Sequence, residues 1–183
     1  MSGTVKLLVI GLSAVALVAI VVSLLLLLGA SSGLSAGPLA FTDGGQTPMS
    51  TCLPDRIETV TGNGIWRSQQ PITIERVQLE DARHLRLVAA ELVPITRTGT
   101  IIGAAAGFPP PAGERPQGFA WNERQHPPAH LRAGEPFLLV FGLERTATVG
   151  RSEAAEISYE VAGQQYRWRD PVTFVLRRIC QFA

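Results

Sequence analysis

The sequence predicts an all-β domain, folded as a sandwich, that follows one N-terminal membrane helix. Three observations predict this arrangement: a long apolar run near the N-terminus, short alternating patterns from Cys52 onward, and turn signals about every 8–12 residues. With 183 residues, the chain has room for one ordinary domain and a further segment. We therefore expect a membrane anchor over residues 1–29, a tether over 30–50 and a β-sandwich domain over 51–183.

The apolar run extends from Leu7 to Leu28, a stretch of 22 residues that has no charged side chain. A helix of that length rises about 33 Å, which is enough to cross a hydrocarbon core of about 30 Å. A cleaved signal peptide is the alternative, but its apolar stretch is usually shorter. Lys6 precedes the run and the next basic residue is Arg56. The positive-inside rule then predicts a single-pass protein of the cell membrane, with a cytoplasmic N-terminus and an extracytoplasmic C-terminal domain.

After the run, residues 30–50 are rich in Gly, Ser, Ala, Thr and Pro, which is typical of a flexible tether. Cys52 and Cys180 are the two cysteines of the chain. Because an extracytoplasmic compartment favours oxidation, we predict one disulfide between them that ties the two ends of the domain together. A loop of that length is worth about 4–5 kcal/mol in the chain-entropy account. Thiols that bind metal or do redox chemistry are the alternative, although the C-x-x-C spacing is absent.

Several stretches predict individual strands. "EISYEV" and "QYRWR" alternate on either side of a Gly-containing turn and predict a β-hairpin, and "VTFVL" continues in the same character. "PFLLVFGL" is apolar on both faces, as expected for a central strand between two layers. "PITIERVQL" changes parity midway, which predicts a bulge near Glu75.

Residues 80–93, in "EDARHLRLVAAELV", are good helix formers and fit either an amphipathic helix or a strand. The strands on both sides favour the strand. The stretch from Gly103 to Gly134 is rich in proline, so we expect long irregular loops there rather than a helix.

Two resemblances follow from these residues. The stretches "PITIERVQLEDARHLRLV", "FPPPAG" and "LRAGEPFLLVFGLERT" resemble uncharacterised single-anchor extracytoplasmic β-sandwich proteins of high-GC Gram-positive bacteria, a family that implies no activity. "RAGEPFLLVFGL" is similar to part of the cupredoxin-like periplasmic copper chaperones, whose His-x-Met pair is replaced here by Phe137 and Leu139. Together these resemblances imply an all-β fold of the immunoglobulin- or cupredoxin-like sandwich class, without the ligands for copper.

Charge and motifs exclude several function classes. The formal net charge is +1, from 16 basic and 15 acidic residues, and the fifteen arginines are scattered along the sequence. A nucleic-acid partner is therefore not expected. No nucleophile elbow, phosphate-binding glycine loop or zinc-protease motif occurs, so we predict neither an enzyme nor a cofactor. His126 and His130, in "HPPAH", are weak candidates for metal ligands, because the two prolines between them prevent a regular helix.

The Pro-rich loop is the best candidate for a binding surface. It carries Phe108, Phe119, Trp121 and Arg124, and rigid loops with aromatic and arginine side chains lose little entropy on contact. In the alternative interpretation, Phe119 and Trp121 point inward and cap the sandwich core. The chain is thus predicted to be a membrane-anchored extracytoplasmic binding or accessory module for another membrane or cell-envelope protein. A metal-binding protein or enzyme that uses His126 and His130 is one alternative, and a ligand-free spacer domain is another.

Overall fold

Twelve strands and two 3₁₀ helices form in the residues that the structure, a computed structural model, describes: 37–42, 49–52, 55–96, 103–115 and 120–179. In chain order the strands are β1 (Leu39–Thr42), β2 (Met49–Cys52), β3 (Ile57–Ser68), β4 (Ile72–Glu80), β5 (Leu85–Pro94), β6 (Ala104–Ala106), β7 (Ala129–Leu131), β8 (Phe137–Arg145), β9 (Val149–Ser152), β10 (Ala154–Val161), β11 (Gln164–Asp170) and β12 (Phe174–Arg177). The short helices, Ala112–Glu114 and Trp121–Glu123, lie in the Pro-rich segment. The all-β prediction is confirmed.

The chain divides into two units, Met1–Leu34 and Ser35–Ala183. The first unit, which contains the predicted anchor, lies outside the described residues. In the part of the chain that the structure describes, no helix is both long and apolar enough to cross a bilayer. The membrane helix and the location of the domain stay predictions.

The strands of the second unit form three sheets. The first sheet has the order β1-β3-β8-β5, and β6 pairs with the first part of β3. The second has the order β11-β10-β4-β7, and the third has the order β2-β12-β9. Every pairing is antiparallel except that of β2 with β12, which is parallel.

One apolar core joins the three sheets. Trp66 of the first sheet is fully buried and meets Trp168 of the second edge to face, with ring centroids 5.6 Å apart. Phe141 of the first sheet contacts Phe174 of the third, at 4.9 Å between centroids. Tyr159 of the second sheet receives a hydrogen bond from the backbone N–H of Leu39, at 3.2 Å. Face-to-face sheets joined by a core of this kind are consistent with a sandwich; whether it is immunoglobulin- or cupredoxin-like stays a prediction.

β8 is buried along both faces, as its sequence predicts. Phe137, Leu139, Phe141 and Leu143 point into the main core, in keeping with the two-residue period of a strand. Leu138 and Val140, on the opposite face, form a second apolar cluster with Val93 and Trp121. The first sheet therefore needs a cover on its outer face, and part of the Pro-rich segment provides it.

The predictions for single strands hold in detail. β10 and β11 form the predicted hairpin, whose two turn residues, Ala162 and Gly163, both have positive φ, as type I′ turns require. β4 carries the predicted bulge, because Ser158 pairs with Arg76 and Tyr159 pairs with Ile74, which leaves Glu75 as the extra residue. Residues 85–94 form a strand and not a helix. Their pairing with β8 outweighs the helix propensity of the sequence.

β1 is a strand that the sequence did not predict, because the residues around it have the composition of a tether. It lies within residues 30–50, the stretch predicted as a tether, and so do the first residues of β2. Leu39 is buried, and β1 pairs with the last residues of β3. The folded domain thus includes residues that precede the boundary predicted at residue 51.

Asp170, at the end of β11, is a buried carboxylate whose ionisation costs stability. Its side chain accepts a hydrogen bond from the backbone N–H of Val172, and burial raises its pKa from 3.8 to about 6. Because the folded protein binds this proton more tightly than the unfolded chain does, the free energy of unfolding falls as the pH rises from about 4 to about 6. The loss corresponds to at most about 3 kcal/mol.

We therefore expect Asp170→Asn to raise the free energy of unfolding at pH 7 by about 1–3 kcal/mol. Asparagine keeps an oxygen that accepts the Val172 bond and carries no charge. The difference in unfolding free energy between Asp170→Asn and wild type should fall towards zero at pH 4. Urea unfolding at pH 7 and at pH 4 measures this difference. An advantage of equal size at both pH values would show that the charge of Asp170 is not its cause.

Candidate functional site

The loop residues predicted to bind a partner take packing positions where the structure describes them. Trp121 is 5% exposed and belongs to the second apolar cluster, which Phe108 also packs against. A Cβ placed on Gly142 would lie 2.6 Å from the Phe108 ring, so β8 needs a glycine there. Arg124 stacks on the Trp121 ring at 5.0 Å from its centroid. Phe119 lies outside the described residues, and partner binding by this loop stays a prediction.

The two candidate metal ligands have different neighbours. The Nδ1 atom of His126 lies 3.8 Å from a carboxylate oxygen of Glu91, and the His126 side chain is largely exposed. The Nδ1 atom of His130, on β7, lies 2.9 Å from the Thr73 hydroxyl oxygen on β4. Within the described ranges, no three His, Cys, Asp or Glu side chains are grouped to hold a metal ion.

Of the two cysteines in the predicted disulfide, the structure describes Cys52. It is the last residue of β2 and pairs with Arg177 of β12, three positions before Cys180. Cys52 is not a free cysteine. Cys180 lies outside the described residues, so the disulfide between them stays a prediction.

An open cleft of about 580 Å³ lies at one end of the domain, where strands of the first and third sheets end. Its lining consists of Arg56, Arg145, Thr146, Ala147, Thr148 and Arg178. Arg56 precedes β3, Arg145 ends β8, residues 146–148 connect β8 to β9, and Arg178 follows β12. Three arginines thus share this lining, and none of the described residues that line it is acidic.

Backbone hydrogen bonds fix these segments to one another. The N–H of Arg145 donates to the carbonyl of Arg56 at 2.9 Å, and the N–H of Arg178 donates to the carbonyl of Thr148 at 3.0 Å. The N–H of Thr146 donates to the carbonyl of His84, also at 3.0 Å. These bonds fix the shape of the cleft, and a preorganised cleft loses less entropy when it binds a ligand.

Arg145 is the buried member of the cleft, with 4% of its surface exposed. Its guanidinium donates to the carbonyls of Asp55 and Ala147, at 2.5 and 3.3 Å. Its Nε lies 3.5 Å from a carboxylate oxygen of Glu58, which is fully buried on β3. Burial raises the pKa of Glu58, and both the hydrogen bond from Thr51 and the charge of Arg145 oppose that rise.

Glu144 orients the exposed arginines beside the cleft. Its carboxylate accepts from Arg56 at 2.9 Å and also from Arg86, and the hydrogen bond from Arg86 lowers the pKa of Glu144. One carboxylate therefore pairs with two guanidinium groups, so part of their positive charge is not neutralised. The Arg56 side chain is 71% exposed, so its remaining donors are accessible to a ligand.

Sequence reasoning missed this cleft because its arginines come from three distant segments. Seven of the fifteen arginines meet at this end of the domain: Arg56, Arg83, Arg86, Arg145, Arg151, Arg177 and Arg178. The pairing of β9 with β12 and of β5 with β8 brings them together. The one signal in the sequence is the density of arginine at strand ends, in "LPDR", "LERT" and "LRRI".

No protein-family model and no curated protein matches this chain. The arrangement of its own residues is therefore what indicates a function.

Proposed function

We propose that this chain is a membrane-anchored extracytoplasmic module that binds an anionic ligand in the arginine cleft. The observation that carries the proposal is the cleft lining, to which three segments each contribute one arginine and, among the described residues, no segment contributes an acidic side chain. Guanidinium groups present planar pairs of donors that match carboxylate and phosphate oxygens. The six lining residues include no histidine or carboxylate that would transfer a proton, which supports binding rather than catalysis.

The local charges support the same ligand class. Among the described residues around the cleft, the four guanidinium groups of Arg56, Arg86, Arg145 and Arg178 outnumber the three carboxylates of Asp55, Glu58 and Glu144, so positive charge remains in excess. Among the described residues, Arg178 takes part in no ion pair and is exposed. The exposed Thr146 and Thr148 add hydroxyl groups that donate hydrogen bonds to an anion.

The predicted location is part of this proposal. The apolar run from Leu7 to Leu28 supports an anchor, and the pairing of Cys52 beside Arg177 supports a disulfide near the end of the domain. An oxidised pair of cysteines fits an extracytoplasmic compartment.

Isothermal titration of the full-length protein in detergent with pyrophosphate tests the cleft. We expect the R56Q/R178Q variant to bind pyrophosphate at least about tenfold more weakly than wild type, since each charge-assisted bond is worth about 1.5–3 kcal/mol. R67Q/R132Q is the matched control, because it removes two exposed arginines away from the cleft. If the wild type binds no pyrophosphate, or if both variants weaken binding equally, the cleft is not an anion site and the spacer role gains support.

A further inference from the structure

The exposed face of the third sheet carries three more arginines beside the cleft. Arg151 of β9 and Arg83, which precedes β5, are directly opposite in an antiparallel bridge and donate N–H bonds to each other at 2.8 and 2.9 Å. Arg177 of β12 pairs with Val149, two residues before Arg151, so these three side chains share one face. We call Arg83, Arg151 and Arg177 the arginine face, and all three are exposed.

The like charges of the arginine face repel one another and therefore lower the stability of the folded domain. A bridge of two mutual hydrogen bonds holds Cα atoms about 5.5 Å apart, and like charges directly opposite each other destabilise a sheet. Among the described residues, none of the three arginines takes part in an ion pair. An anion that lies across this face would remove that repulsion.

The arginine face and the cleft are continuous along the chain. Arg177 is followed directly by Arg178 of the cleft, and Val149 follows Thr148 of the cleft. The nearest acidic residues beyond Arg83 and Arg151 in the sequence are Asp81 and Glu153, which limit the positive surface on that side. Because successive strand residues point to opposite faces, a single ligand that reaches both features must pass round the end of β12, with charges that repeat over several strand spacings of about 4.8 Å.

We propose that the cleft and the arginine face together bind one linear polyanion, whose phosphate or carboxylate groups repeat along its backbone. The inference rests on the proposed function, because the cleft holds one end of the same polymer. A small anion fills the cleft alone and leaves Arg83 and Arg151 unpaired, whereas a polymer pairs both. Binding should therefore strengthen with polymer length and weaken steeply with salt.

Inorganic polyphosphate of defined length is the probe, titrated against the full-length protein in detergent beside pyrophosphate. We expect polyphosphate of about 15 phosphates to bind at least about tenfold more tightly than pyrophosphate, with several arginines engaged at once. R83Q/R151Q should remove most of that gain and leave pyrophosphate binding unchanged. The R83Q/R151Q variant should also make the negative slope of log affinity against log salt concentration shallower by about 1.5, since two phosphate contacts are lost. R67Q/R132Q again serves as the control for charge alone.

The outcomes separate this inference from the proposed function. If pyrophosphate binds in the cleft but length adds nothing, or if R83Q/R151Q behaves like R67Q/R132Q, the extended site is overturned while the cleft stands. If neither probe binds, the proposed function fails as well. Poly-glutamate of equal charge distinguishes a carboxylate polymer from a phosphate polymer. If R83Q/R151Q weakens binding to phosphatidylglycerol vesicles and not to either polymer, the arginine face is a membrane-contact surface and the inference is wrong.

Discussion

The R145M variant is expected to lose about 3–5 kcal/mol of unfolding free energy, because it leaves the Glu58 carboxylate buried without its cation. Arg145 is 4% exposed and Glu58 fully buried, so water cannot replace the lost partner. Part of the charge would be relieved by protonation, since the pKa of Glu58 is already raised by burial. Urea unfolding of the full-length protein at pH 7 measures the loss.

The E58M/R145M double variant is the decisive companion to R145M. Replacing both partners of a buried ion pair by apolar side chains of similar size is often close to neutral. We expect the double variant to regain at least half of the loss. If it is no more stable than R145M, the bonds from Arg145 to the carbonyls of Asp55 and Ala147, and not the ion pair, hold this corner of the domain.

The W121A variant is expected to lose about 3–5 kcal/mol, the range for removing a buried aromatic side chain. Trp121 covers Leu138 and Val140 on the outer face of β8, so its removal opens a cavity beside the first sheet. Pyrophosphate binding by the folded protein should not change, because Trp121 is not among the residues that line the cleft. Thermal and urea unfolding measure the first effect, and titration calorimetry measures the second.

W168A is the matched control for W121A. Trp168 is half-buried and rests against the main core, so the same truncation should cost less there. A loss below about 1 kcal/mol for W121A would contradict the packing role and return Trp121 to the predicted partner-binding surface.

Local sequence patterns were sufficient for much of the fold. The β10–β11 hairpin, the bulge at Glu75 and the doubly buried β8 each follow from alternation or its absence within about ten residues. The secondary structure of residues 85–94 was harder to predict, because helix propensity and strand pairing compete there. Only the pairing with β8 makes this segment a strand. β1 was missed because its four residues are surrounded by Gly, Ser and Pro, which obscure a short strand.

The candidate site was not predictable from local patterns. Arg56, Arg145 and Arg178 are separated by long stretches of sequence, and their proximity depends on which strands become neighbours. The sequence around Trp121 fits both a packing role and a binding role for a related reason. Whether a loop aromatic turns inward depends on an uncovered apolar face elsewhere, here the outer side of β8.

The parallel pairing of β2 with β12 has a consequence for the order in which the protein folds. Met49 pairs with Phe174, 125 positions later, so the third sheet depends on contacts of very high sequence separation. Contacts of this kind slow folding, since the entropy of closing a long loop is lost before they form. While the chain is being synthesised, β2 must wait for β12 to emerge. The cleft, which needs both Arg56 and Arg178, is therefore among the last features to form, and a nascent chain that lacks β12 has an incomplete cleft.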